Sequence, residues 1–261
     1  MQQHRLLSSY LEGVGYLNQA TQLANGTFIQ SAHVSSARLA LISDRESLYK
    51  NALIAYCGVF KMILSKNYSW AFVHSYYSIF YLFQVLLAFC DVSLCYDQSK
   101  PFSIKLTGGS QFKREEGNTH KSIFGLFKYY YGNDSEICSE IDGKKVCDWF
   151  ENMRNKVNYR TVPQMDPVVS YGLYDYNGAN DIRKMVSVYF EELDIYAYTP
   201  EHAYVAYPLL LIRRIVNLYG DYNKDCKLLN DAVFFKYLAD NIRDSKGPIT
   251  PVLELVKNGI I

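Results

Sequence analysis

Asn67 to Cys90, NYSWAFVHSYYSIFYLFQVLLAFC, carries no Lys, Arg, Asp or Glu and no Pro or Gly, and it lies between Lys66 and Asp91. It reads as one long helix with Asn67 placed to cap its start. The stretch is long enough to cross a bilayer. However, His74, Ser75, Ser78, Gln84 and the Tyr and Trp polar groups would all need partners in lipid. The better reading is a core helix buried on nearly all sides of a helical bundle, and no membrane contact is expected. Ala71, Ser75 and Ser78 share a face that lets another helix approach closely, while Tyr76, Phe80 and Phe83 supply bulk opposite.

With 261 residues, 49% of them hydrophobic, the chain can bury a real core as one large domain or a domain with extensions. A net charge of +1 argues against a strongly basic nucleic-acid coat, so any nucleic-acid contact must be local. Six Cys residues, at 57, 90, 95, 138, 147 and 226, form no CxxC pair and share no metal-ligand spacing with the five His residues. Reduced thiols, no metal and a cytoplasmic location follow. The start, MQQHRLLSSYLEG, has no apolar signal core, which points away from export and disulfides. The Gly108-Gly109 pair lacks the surroundings of a phosphate-binding loop, and no cofactor is expected. The 24 Tyr residues suit cores with polar seams, and also interfaces.

Working outward, residues 7–24 have a weak helical period. Ser43 and Glu46 form a capping box before Leu48, Ala52, Tyr56, Val59, Phe60 and Ile63, which predicts an amphipathic helix over 44–65. Residues 91–119 read as a long loop. HKSIFGLFKYYYG is a helix stopping at Gly132. Residues 134–160 read as helical with a break at Asp142-Gly143. In the second half, Val146, Trp149, Phe150, Met153 and Val157 make an apolar face, and Cys147, Glu151, Arg154 and Asn158 form a stripe along its edge. Pro163 and Pro167 end that helix, and 171–180 is a loop. Further helices are predicted over 181–196, from a Thr199 cap to Gly220, between 222 and 243, and after Pro251. Period-2 strands are not visible in number, so the predicted fold class is all-α.

The order of the amphipathic helix, AFVHSYYSIFYLFQVLLAF, THKSIFGLFKYY and WFENMRNKVNYR resembles the HEPN superfamily of prokaryotic helical-bundle proteins. The resemblance spans residues 44–196, with 1–43 and 197–261 as N- and C-terminal helical extensions. It implies an antiparallel bundle that forms a homodimer, with the motif helices of two subunits lining one cleft. Many members are metal-independent ribonucleases of toxin-antitoxin or antiviral defence systems, which implies RNA as substrate and a partner protein or antitoxin. The family motif is an Arg, commonly followed by a polar residue, with a His about five to seven positions after the Arg. Arg154 and Asn155 match its first half. Tyr159, Arg160 and Thr161 stand where the His belongs.

Cleavage by a neighbouring 2′-hydroxyl needs a base titrating near working pH and a cation to stabilise the pentacoordinate phosphate. Arg154 supplies the cation. Tyr159, with an ordinary pKa of about 10, is a poor base. His120, opening the third helix, and His74, in the second, are the two candidates to replace the missing His. Without such a base, Arg154, Asn155, Asn158, Tyr159 and Arg160 hold an RNA backbone without cutting it, and Lys121 adds a phosphate contact. That defines the alternative of a catalytically inactive bundle serving protein interaction or ligand sensing. Plainer roles compete at each position: Arg154 pairing with Glu151, His74 as a core histidine, His120 as a cap, and Tyr129 to Tyr131 as packing.

Overall fold

A computed structural model describes residues 5–17, 23–157, 179–222 and 231–242. In order, the elements are α1 (Leu6–Gly13), α2 (Ser31–Leu64), α3 (Tyr68–Phe89), β1 (Val92–Asp97), β2 (Lys100–Lys105), β3 (Lys113–Arg114) and α4 (Thr119–Tyr131). They continue with β4 (Glu140–Ile141), β5 (Lys144–Lys145), α5 (Val146–Asn155), α6 (Ala179–Glu191), α7 (Leu193–Tyr196), α8 (Ala203–Tyr222) and α9 (Ala232–Ile242). The chain is mostly helical, but not purely all-α as its sequence suggests. A three-stranded antiparallel sheet, in the order β1-β2-β3, occupies much of the predicted 91–119 loop, and the β4-β5 hairpin sits at the predicted helix break.

The chain divides into two compact units, one of residues 1–50 with 83–130 and the other of 51–82 with 131–261. In the first, Leu7, Leu11, Ile29, Val34, Ala37 and Leu41 share a core with Phe102, Ile104, Leu106 and Phe112. Residues before 43 are therefore built into a core rather than appended to one, and α2 runs unbroken through the expected boundary at 43/44. The capping box predicted there lies inside the helix. Ser43 Oγ donates back to the Leu39 carbonyl at 3.3 Å, and Ser47 Oγ to the Ser43 carbonyl at 3.2 Å. α3 matches the opening stretch closely. Of the described helices it alone has the length and hydropathy to cross a membrane, yet 78% of its most apolar window is buried in the protein. In the first unit Phe83 stacks on Phe127, with centroids 3.6 Å apart, and meets Phe124 edge-on.

In the second unit the core gathers rings from α3, α5 and α8. Phe72 stacks on Phe150 at 5.8 Å and meets Trp149 at 6.0 Å and Tyr204 at 6.3 Å. Two Tyr hydroxyls inside this core find backbone acceptors: Tyr56 donates to the Val205 carbonyl at 2.9 Å, and Tyr207 to the Ile137 carbonyl at 2.7 Å. The first of these lies in the turn of α8 interrupted by Pro208, which the sequence reading overlooked. The helix expected to start at Thr199 begins at Ala203, because Thr199 Oγ1 donates back to the Ile195 carbonyl instead of capping forward.

Candidate functional site

α5 carries the residues singled out in the sequence. Val146, Trp149 and Phe150 are buried, as the apolar face requires, with Asp148 in the first turn and Arg154 in the last, both favourable to the helix dipole. Cys147, expected on the polar edge, is buried instead and belongs to the core side. Arg154 is half-buried. Its guanidinium carbon stands 5.6 Å from the centroid of the Tyr76 ring on α3, and its Nη1 donates to Asn155 Oδ1 at 3.3 Å. Tyr76 itself is only 1% exposed, so the cation lies at the α3–α5 seam, over a ring that gives it a cation–π attraction worth about 0.5–2 kcal/mol.

The electrostatics favour a cation without a neighbouring tyrosinate. Burial pushes the Tyr76 hydroxyl well above its ordinary value. Arg154 pulls it down, and Glu151, Tyr77 and Cys147 push it further up. The phenol stays protonated at neutral pH.

His74 takes the other side of α3. Two residues from Tyr76, it is rotated by about 200° around the helix, and its ring lies against Gly58 of α2, where an added Cβ would come within 2.3 Å of Nδ1. It borders a cavity of about 170 Å³ with Cys57, Lys61 and Tyr237. Burial, and then the Lys61 charge, lower its pKa. Burial pushes the neighbouring Cys57 thiol up to about 12, which leaves it an inert, protonated group. The fold thus turns His74, one of the two histidines offered in place of the missing base, toward α2 and away from the Tyr76 ring that Arg154 covers.

His120 and Lys121 open α4 in the first unit, where Asn118 Oδ1 accepts the Lys121 N–H at 3.0 Å and caps the helix. Capping there falls to Asn118, not His120. Asn158, Tyr159 and Arg160 lie outside the described residues. The residue that the sequence did not single out is Tyr76 as the platform for Arg154. The only signal in the sequence was a cation four residues after Phe150, on the border of the apolar face, together with the aromatic content of α3. Among the described residues no group of three or more His, Cys, Asp or Glu side chains is arranged to hold a metal ion. No protein-family model, curated protein or solved structure matches this chain.

Proposed function

We propose that this chain is a HEPN-type protein of a prokaryotic toxin-antitoxin or antiviral defence system that acts on RNA as a homodimer, with Arg154 as the phosphate-binding cation. One observation carries the reading: Arg154 is held at a seam between helices by the Tyr76 ring, half-buried, with the exposed Asn155 beside it. A guanidinium fixed in this way has lost part of its conformational freedom before a ligand arrives, and its fork suits a phosphate. In the ribonuclease form of the proposal, Arg154 stabilises the charge that develops when a 2′-hydroxyl attacks the adjacent phosphorus, with no metal required.

A second reading, an inactive bundle that binds RNA or a partner protein without cleaving, is favoured by two side chains of α3. His74 faces α2 and the Tyr76 hydroxyl is held protonated, so neither supplies a base. Incubating the purified chain with tRNA and total RNA in EDTA distinguishes the two. Cleavage leaving 2′,3′-cyclic phosphate ends, lost in Arg154→Ala, supports the enzyme. Intact RNA that is retained by wild type and released by Arg154→Ala supports the binding module. Arg154→Ala behaving as wild type in both respects removes both readings.

A further inference from the structure

A second polar feature of the larger unit lies apart from Arg154 and does not rest on the reading given to it. α8 presents Arg213, Arg214 and Asn217 to a cleft of about 490 Å³, and the loop after α4 adds Ser135 and Ser139. That volume falls within the range of about 300–1,000 Å³ typical of small-ligand clefts. Both guanidiniums are occupied by carboxylates. Arg213 pairs with Asp194, while Arg214 reaches Asp134 at 3.3 Å and Glu136 at 3.4 Å.

These three carboxylates are not equivalent. Asp134 is built into its loop: its second oxygen accepts the Glu136 N–H at 3.1 Å, and its side chain is 21% exposed. The Glu136 and Asp194 side chains are 69% and 74% exposed, against 33% and 22% for Arg214 and Arg213. The cations are therefore held in the wall while two of their partners lie in solvent, and exposed ion pairs of this kind contribute little to stability. The loop backbone is fixed independently of the Glu136 carboxylate, since the Tyr198 hydroxyl donates to the Glu136 carbonyl at 3.0 Å. Glu136 can swing away without loosening the cleft.

We propose that this cleft binds a phosphomonoester carried on a small polar body, the phosphate dianion displacing Glu136 and Asp194 from the Arg213–Arg214 pair. Both guanidiniums line the same cleft, and charge-assisted bonds to a dianion exceed those to a single exposed carboxylate. Ser135, Ser139 and Asn217 offer donors and acceptors to hydroxyls on the rest of the ligand. A polyanion such as RNA fits less well, because it calls for a continuous basic stripe, and among the described residues only two cations line this cleft.

Isothermal titration of the full chain with adenosine 5′-monophosphate, ribose 5-phosphate, inorganic phosphate and unphosphorylated adenosine and ribose tests this. The phosphomonoesters are expected to bind at up to millimolar concentration, and the two nucleoside and sugar controls not to bind. Because Glu136 and Asp194 compete with the ligand, Glu136→Gln and Asp194→Asn each tighten binding by about two- to fivefold. Arg213→Gln weakens it by about tenfold or more. The Arg213→Gln and carboxylate effects locate the binding in this cleft and separate it from Arg154. Adenosine binding as tightly as its monophosphate, absence of binding by both phosphomonoesters, or weaker binding in Asp194→Asn would each overturn the proposal. The carboxylate variants preserve shape and keep the test valid should the arginine variant fail to fold.

Discussion

Gly58 owes its identity to a single neighbour. A methyl group at that position would meet His74 Nδ1 at 2.3 Å, so the absence of a side chain is what lets α3 lay an imidazole against α2. Gly58→Ala should destabilise the chain by about 1–3 kcal/mol by overpacking, measured by urea unfolding, and combining it with His74→Ala should recover part of the loss. His74 also predicts a pH dependence, together with His202, whose Nδ1 meets the Tyr189 hydroxyl at 2.8 Å. Burial lowers both below 6.5; Lys61 lowers His74 further, and Glu201 partly offsets the effect at His202. The unfolded chain then binds protons before the folded one does. Their stabilising contribution is complete above about pH 6.5 and is lost as pH falls from there toward the folded values. The urea midpoint should drop between about pH 7.5 and pH 6, with a shallower slope in His74→Gln and His202→Gln; an unchanged slope in both would exclude this origin. Arg154 was legible in sequence as the cation on the edge of an amphipathic helix, where the apolar face meets its surroundings. The direction of His74 was not, because a helix without a single charged residue shows no ionised side in sequence, and the exposure of Trp70 and Tyr77 is not legible from their types.

At the scale of elements, the hairpins show what hydrophobic periodicity hides. β1 and β2 are buried along both faces, so VSLCYD and KPFSIK lack the alternation by which a half-buried strand is recognised. Their connection places Gln98 and Ser99 at φ 47° and 72°, a left-handed turn built without the usual glycine. The β4-β5 turn did carry its signal, Asp142-Gly143, with φ of 50° and 67°; reading it as a helix break missed the two flanking strands. Gly143→Ala should cost about 1 kcal/mol, because the left-handed conformation disfavours any Cβ, and should speed amide exchange in the hairpin. α1 depends on a residue far away in sequence. Arg5, at its N-cap position, provides no side-chain cap, and Asp44 of α2 accepts the Leu6 and Leu7 N–H groups at 2.8 and 3.0 Å instead. Asp44→Ala should therefore release α1, costing about 1–2 kcal/mol, and leave those two amides exchanging fastest. Asp44→Asn, which keeps one acceptor, should fall between. Such a cap was beyond a local reading because donor and acceptor belong to different elements.

For the whole chain, the long apolar helix and the aromatic core were legible from composition and spacing, whereas the division into units was not. Segments separated in sequence share cores, residues 1–50 with 83–130 and 51–82 with 131–261. A linear reading instead placed a boundary inside the unbroken α2. The proposed homodimer belongs to this scale: sedimentation at micromolar concentration should give about twice the 30.1 kDa of one chain, and a strict monomer would remove the shared cleft. The central claim, that Arg154 meets an RNA backbone, is tested most directly by the salt dependence of binding to a short single-stranded RNA. Replacing Arg154 by Ala should weaken binding uniformly across sequences and lower the slope of log K against log salt by about 0.7, the share of one phosphate contact, while Arg154→Lys keeps the slope. Equal affinity and equal slope for wild type and Arg154→Ala would contradict it.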